Sequence, residues 1–263
     1  MMCLILLAWK AHAGYPLILA ANRDEFFSRP TRIAEPWADA PGIIAGRDLE
    51  KGGTWLAVSA RGRIAAVTNY REGTHPKSGT RSRGLLVSDF VTSDLEPVAF
   101  LSRLDEQVES YPGFNLLVAA EGVLLHYGKP GHRVTPVTPG VHGLSNHLLD
   151  TPWPKVERGK AALRKLLAAT DEPLIDGLFE ALSDRQVPPD AALPDTGVGI
   201  ERERILSTAF IATPDYGTRA STVVLVDNSG EITFVERNFG PGGKALDTRR
   251  FQITPQVSTL PLA

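Results

Sequence analysis

A single cysteine, Cys3, stands in a chain of 263 residues. One thiol cannot close an intrachain disulfide, which excludes a disulfide-stapled secreted scaffold and any cysteine-cluster zinc site. The six histidines, His12, His75, His126, His132, His142 and His147, form no H-E-x-x-H pattern. Gly159-Lys160 and Gly243-Lys244 lack the spacing of a phosphate loop, and Gly240 to Gly243 lacks that of a dinucleotide fingerprint. Neither a metal nor a cofactor is expected. An excess of one charge is missing too: 28 Lys and Arg face 30 Asp and Glu, a formal net charge of -2. That argues against a nucleic-acid partner and against a polybasic membrane patch. The apolar start MMCLILLAW is too short to span a membrane, and it lacks the basic region and cleavage site of a signal peptide. The expectation is a soluble, cytoplasmic protein without stable membrane insertion.

What is present is a core. Hydrophobic residues make up 43% of the chain and charged residues 22%, enough for one folded domain over 1–263. Nearly unbroken apolar runs at 3–9, 15–21, 54–59, 63–69, 115–120, 123–127, 207–212 and 221–227 read as strands covered on both faces. The run 231–237 alternates more and reads as a strand nearer an edge. The first two runs form a hairpin. Apolar spacings of three and four predict helices over 84–91, from about 95 to 108, over 155–169 and over 173–182. The Pro-, Gly- and Asp-rich stretch 187–199 is a loop long enough to suggest a functional role. Buried strands with helices grouped between them predict an α+β fold in which two mainly antiparallel sheets pack together with helical layers outside.

Several residues carry chemistry. Cys3, as the first residue of a processed chain, would hold a thiol and an α-amine together. With unperturbed pKa values of about 8.5 and about 7.7–8.0, the amine can act as base for the thiol. Asn22-Arg23-Asp24-Glu25 follows the second run, and a hairpin brings it beside Cys3. There a carboxylate can hold the ammonium, a guanidinium can favour the thiolate, and an amide can donate to an oxyanion. Asn69 and Asn146 each end a strand-like run, and Arg219 enters the apolar run at 221–227. Each of these also has a bland reading as a turn residue or a structural ion pair. Trp9, Trp37, Trp55 and Trp153 fit core or cleft-lining positions.

Met2-Cys3-Leu4-Ile5, Asn22-Arg23-Asp24-Glu25, Gly53-Thr54-Trp55, Val67-Thr68-Asn69-Tyr70-Arg71 and Gly143-Leu144-Ser145-Asn146 resemble the NRDE family. Its eukaryotic members are called transport and Golgi organisation protein 2. Leu193-Pro194-Asp195-Thr196-Gly197, Leu206-Ser207-Thr208-Ala209-Phe210-Ile211, Tyr216-Gly217-Thr218-Arg219 and Glu236-Arg237 extend the match in order. The family looks like a branch of the N-terminal nucleophile hydrolases, which implies a four-layer αββα sandwich. By resemblance to cysteine-first amidases such as penicillin V acylases and bile-salt hydrolases, the catalytic set is Cys3, Arg23, Asp24, Asn69, Asn146 and Arg219. Asn22, Trp55 and Tyr70 are the expected substrate contacts. The implied function is hydrolysis of a linear amide or related acyl bond. The rival is a non-catalytic carrier of haem or of an acyl-CoA or lipid ligand. The hydrolase mechanism needs a free amine on Cys3. Aminopeptidase does not remove a methionine that precedes another, so that amine requires translation to start at Met2.

Overall fold

Apolar residues at every position of 4–9 need cover on both faces of a strand, and the computed structural model shows where the cover comes from. It describes residues 2–71, 79–169 and 174–255, with the side chains of Met2 and Cys3 outside that description. In chain order, β1 (Met2–Trp9) and β2 (Leu17–Phe26) form a hairpin. They are followed by β3 (Thr31–Pro36), β4 (Ile43–Asp48), β5 (Leu56–Ser59) and β6 (Ile64–Asn69). Helices α1 (Gly84–Thr92) and α2 (Pro97–Asp105) lead to β7 (Phe114–Ala120), β8 (Val123–Gly128), β9 (Arg133–Pro136) and β10 (Gly140–Leu144). Helices α3 (Pro154–Ala168), α4 (Leu174–Leu182) and α5 (Ile200–Leu206) precede β11 (Tyr216–Val226), β12 (Ile232–Gly240) and β13 (Lys244–Ile253).

The strands form two antiparallel sheets, of order β10-β1-β2-β11-β12-β13 and β3-β4-β5-β6-β7-β8-β9. The period of two along β1 and β2 divides their apolar residues between two cores. Leu4, Leu6, Ile18 and Ala20 meet Val156, Leu163, Leu178 and Leu182 of α3 and α4. Ile5, Leu7 and Leu19 meet Trp55, Leu56, Val58 and Leu117 of the other sheet. The outer face of that second sheet, with Ala57, Ala65, Val67 and Leu116, is covered by Leu86, Val87, Phe90 and Leu101 of α1 and α2. The layers therefore run helix, sheet, sheet, helix, as expected. No helix among the described residues is long and apolar enough to cross a membrane.

Two local expectations need correction, and a third falls outside the described residues. Asn22 to Glu25 do not follow the second strand but lie within it, paired on one side with β1 and on the other with β11. The run 207–212 is not a strand. Its only ladder contact is an isolated bridge between Ala212 and Gly217, and the polar residues before it, in 200–206, wind into α5 instead. The expected helix start at 173 lies outside the described residues, and α4 is described from Leu174. Strands β3, β4, β9 and β13 were not expected, because their polar residues or short length hide the period of two. β13 is one of the two edges of the six-stranded sheet, unpaired on its outer side among the described residues, and its first seven residues are exposed.

Buried polar ties join the sheets, one of them at Glu236. Glu236 of β12 accepts the Ala34 backbone N–H of β3 at 2.8 Å and the Thr222 hydroxyl at 3.2 Å. Another contact brings α1 against the turn before β5. A Cβ on Gly53 would stand 2.2 Å from the Gly84 carbonyl carbon, and Thr54 N–H donates to the Gly84 carbonyl at 3.1 Å. Backbone cannot move aside as a flexible side chain can. Gly53→Ala is expected to lose about 2–3 kcal/mol in urea unfolding. Gly14→Ala, whose Cβ meets only ordinary contacts near 3.5 Å, should shift stability by no more than about 0.5 kcal/mol.

Candidate functional site

The hairpin register sets the site. Met2 lies opposite Asp24 and Cys3 opposite Arg23. Successive side chains of β2 point to opposite faces, so four consecutive polar residues serve two different environments.

Arg23 faces the space between the sheets. It is 1% exposed, and its guanidinium carbon lies 4.2 Å from the centre of the Trp55 ring. That stacking lets a buried cation rest on a π-face where water is excluded. Glu25 lies 3.9 Å from Arg23 and 3.8 Å from Arg29. Arg23, Trp55 and Asn69 line one cleft of about 430 Å³, together with the segment 79–84. Arg83 donates to the Asn69 amide oxygen.

Asp24 and Asn22 face the other way, toward α3 and α4. Asn22 donates to the carbonyls of Leu182 at 2.8 Å and Ala209 at 2.7 Å, and accepts the Ser221 hydroxyl at 2.6 Å. Its amide thus ties β2 to the end of α4 and to the segment before β11. Asp24 is wholly buried. Its Oδ1 accepts the Thr218 hydroxyl at 2.7 Å, while Oδ2 has no hydrogen-bond partner among the described residues. Burial pushes its carboxyl from an ordinary 3.8 up to about 6, against the opposing pull of the Lys155 charge and the Thr218 hydrogen bond. Lys155 is itself buried in α3 and donates to the Leu206 carbonyl at 2.9 Å.

Asn146 follows β10 and reaches across to the second sheet. Its Nδ2 donates to the Asn69 carbonyl at 3.1 Å, and its own carbonyl accepts Arg71 N–H at 2.8 Å. Beside it, Thr68 donates to the Ser145 carbonyl at 2.7 Å. The two asparagines are therefore neighbours through the main chain of β6.

Two other expected residues lie off the cleft. Arg219 occupies a bulge in β11, where the register against β2 shifts between Thr218 and Ala220. Its Nη1 donates to the Phe26 carbonyl at 3.1 Å and the Arg29 carbonyl at 2.5 Å, clamping the β2–β3 turn. Tyr70 packs on His147, with ring centres 5.0 Å apart. None of the loop 187–199 lines the cleft. That loop is tied down instead, because Arg71 binds Thr196 at 2.7 Å and Glu203 of α5 at 2.8 Å.

The sequence reading gave no role to Lys155, Glu236, Arg83 or Arg29. Lys155 sits on an amphipathic helix whose charges look solvated, and nothing in its spacing marks it as buried. Glu236 alone was visible, as part of a quoted motif. Among the described residues, no group of three or more His, Cys, Asp or Glu is placed to hold a metal ion.

The buried Asp24 has a measurable consequence. Between about pH 4 and pH 6 the folded state binds a proton that the unfolded state has already released, so the charge of Asp24 lowers stability as pH rises through that window. Asp24→Asn removes this loss. Its stability relative to wild type should rise by up to about 3 kcal/mol between pH 4 and pH 7.5, as read from urea midpoints. A difference that stays flat with pH would count against a buried, proton-binding Asp24.

Comparison with known proteins places these residues in a family. A family model described as Transport and Golgi organisation 2 matches residues 2–241. The Transport and Golgi organization protein 2 homolog of Bos taurus is 41% identical over 241 residues, covering 86% of this chain and 87% of its own length. That of Homo sapiens is 38% identical over 262 residues, covering 92% of this chain and 94% of its own. Among solved structures, the Caenorhabditis elegans ortholog of N-acylethanolamine-hydrolyzing acid amidase is similar with a TM-score of 0.44 and 16% identity, over 85% of this chain and 92% of that one. The chain belongs to the Transport and Golgi organisation 2 family.

Proposed function

We propose that the protein is a cytoplasmic amidohydrolase with an N-terminal cysteine nucleophile, acting on a linear amide or related acyl bond of a small molecule. The observation that carries this reading is Asp24. A wholly buried carboxylate, with Oδ2 lacking a hydrogen-bond partner among the described residues, stands one ladder position from Cys3. Such an oxygen suits an ammonium, and translation from Met2 followed by removal of that one methionine gives Cys3 one.

In this reading the Cys3 thiol attacks the carbonyl carbon of the substrate, and its proton passes to the α-amine. The C–N bond breaks as that proton moves to the leaving nitrogen, which leaves a thioester. Water then adds, gives a proton to the amine, and releases the acid as the thiol re-forms. Asn69 and Asn146, neighbours at the end of β6, stabilise the oxyanion. Arg23, fixed on Trp55, supplies positive potential beside position 3. Asn22, Tyr70 and Arg219 support the site from outside the cleft by holding β2, the end of β6 and the β2–β3 turn.

The test joins a mass to an activity. Untagged protein expressed from its native start should have the intact mass of a chain that begins at Cys3. It should turn over members of a panel of N-acyl amides, with Cys3→Ala at least about a thousandfold slower. Turnover that survives Cys3→Ala overturns the nucleophile assignment. Retained methionine together with tight ligand binding and no turnover would make the cleft a carrier site for haem or an acyl compound.

A further inference from the structure

Strand β8 carries a histidine on its inner face. Leu124 belongs to the core between the sheets, while Leu125 and Tyr127 pack with α1 and α2, so the period of two turns His126 inward with Leu124. His126 is 6% exposed. It lines an opening of about 590 Å³ bounded by β8, β9 and the turn after β10. That opening shares no lining residue with the cleft of Arg23 and Trp55.

A neighbour fixes the proton on its ring. Asn115 Nδ2 donates to the His147 carbonyl at 2.9 Å and to the Thr68 hydroxyl at 3.2 Å. The amide nitrogen is the donor of that side chain, so its Oδ1 is the atom that faces His126 Nε2, at 3.0 Å. An amide oxygen accepts, and Nε2 therefore carries the proton. Burial holds the ring neutral, pushing its pKa from 6.5 down to about 4 against the pull of Asp150. That leaves Nδ1 as a bare acceptor, to which none of the described residues donates. Nδ1 is not sealed within the protein, so it opens onto the cavity that its ring lines.

The other ionisable groups of the lining are committed to partners or face water. His142 has Asp150 Oδ2 at 2.6 Å from Nδ1 and the Thr138 carbonyl at 2.8 Å from Nε2. The second oxygen of Asp150 accepts Gly143 N–H at 3.0 Å and Lys160 at 3.1 Å. Arg133 is exposed. Apolar groups, Val137, Leu148 and Leu149, complete the walls. We infer that this opening is a second binding site, which takes a compact apolar molecule through one hydroxyl or N–H donated to His126 Nδ1. An acceptor held out of water gains from a donor delivered to it, and the apolar body of the ligand gains from the walls. The inference does not depend on hydrolysis at Cys3.

Imidazole nitrogen NMR on the labelled full chain at neutral pH reads the atom itself. His126, assigned by the signal lost in His126→Gln, should be the neutral tautomer with its proton on Nε2. Phenol should move the Nδ1 resonance upfield. Anisole, the same ring with its donor methylated, should not. Indole against N-methylindole repeats the comparison for an N–H, so the two pairs tell the donor sources apart. The donor-bearing probe of the preferred pair should bind at least about fivefold more tightly than its methylated twin. Gly128→Val then tests the place. A Cβ on Gly128 meets His126 Cε1 at 3.5 Å and Leu148 Cδ2 at 3.6 Å, both ordinary contacts, and the added methyls take up space inside the opening. The preference should vanish in this variant while the His126 tautomer persists. The wild-type comparison stands without it. An Nδ1 that responds to neither donor is met by water alone and overturns the inference. Equal responses to the methylated probes, a protonated Nδ1, or a preference that survives Gly128→Val overturn it as well.

Discussion

Four polar side chains in a row lie buried in the second half of a strand covered on both faces, and much of the molecule is arranged around satisfying them. A buried polar group without partners costs more than a typical hydrogen bond returns. Asn22 is met by two carbonyls and a hydroxyl, Arg23 by an indole face, and Asp24 by Thr218. Glu25 lies against the backbone N–H of Phe26 at 2.9 Å. The partners of Asn22, Arg23 and Asp24 come from distant parts of the chain, so satisfying the strand also fixes the end of α4, the start of β11 and the turn into β5.

The pleat of β2 separates two kinds of chemistry that sequence proximity alone would merge. Arg23 belongs to the inter-sheet cleft, where a substrate has room. Asp24 belongs to the helical side, where no comparable opening reaches it and its charge is held in a dry pocket beside Lys155. The two residues act on the start of β1 from opposite faces of one sheet. A single-residue slip of the hairpin would exchange them, which is why the register of β1 against β2 and of β2 against β11 carries the site.

Much of this was legible in the residues. Unbroken apolar runs such as 4–9 and 115–120 announced strands covered on both sides, and the four layers followed from them. The motif residues could be read as a set, and the structure places Arg23, Trp55 and Asn69 on one cleft with Asn146 behind it. What was hidden depended on tertiary context. The extension of β2 through Asn22 to Glu25 defies a period built on hydrophobicity, because its polar residues are buried by partners distant in sequence. Strand β4 breaks its apolar pattern with Gly46, where a Cβ would stand 2.1 Å from the Trp55 ring. That glycine is there for packing, a reason no local pattern displays. Lys155 and Arg83 carry signals identical to those of surface cations, and only their surroundings distinguish them.

The β13 edge of the six-stranded sheet has its own consequence. An outermost strand offers a row of unpaired backbone groups to any other extended chain, and a long exposed one invites sheet-to-sheet aggregation. Within its ten residues β13 carries Lys244, Arg249 and Arg250 against a single carboxylate, Asp247, on its two faces. Two copies approaching edge to edge would each bring a strand of net positive charge toward the other before a single ladder bond could form. The strand that contributes least to the core thus works as a guard, keeping a protein made largely of sheet from extending that sheet into its neighbours.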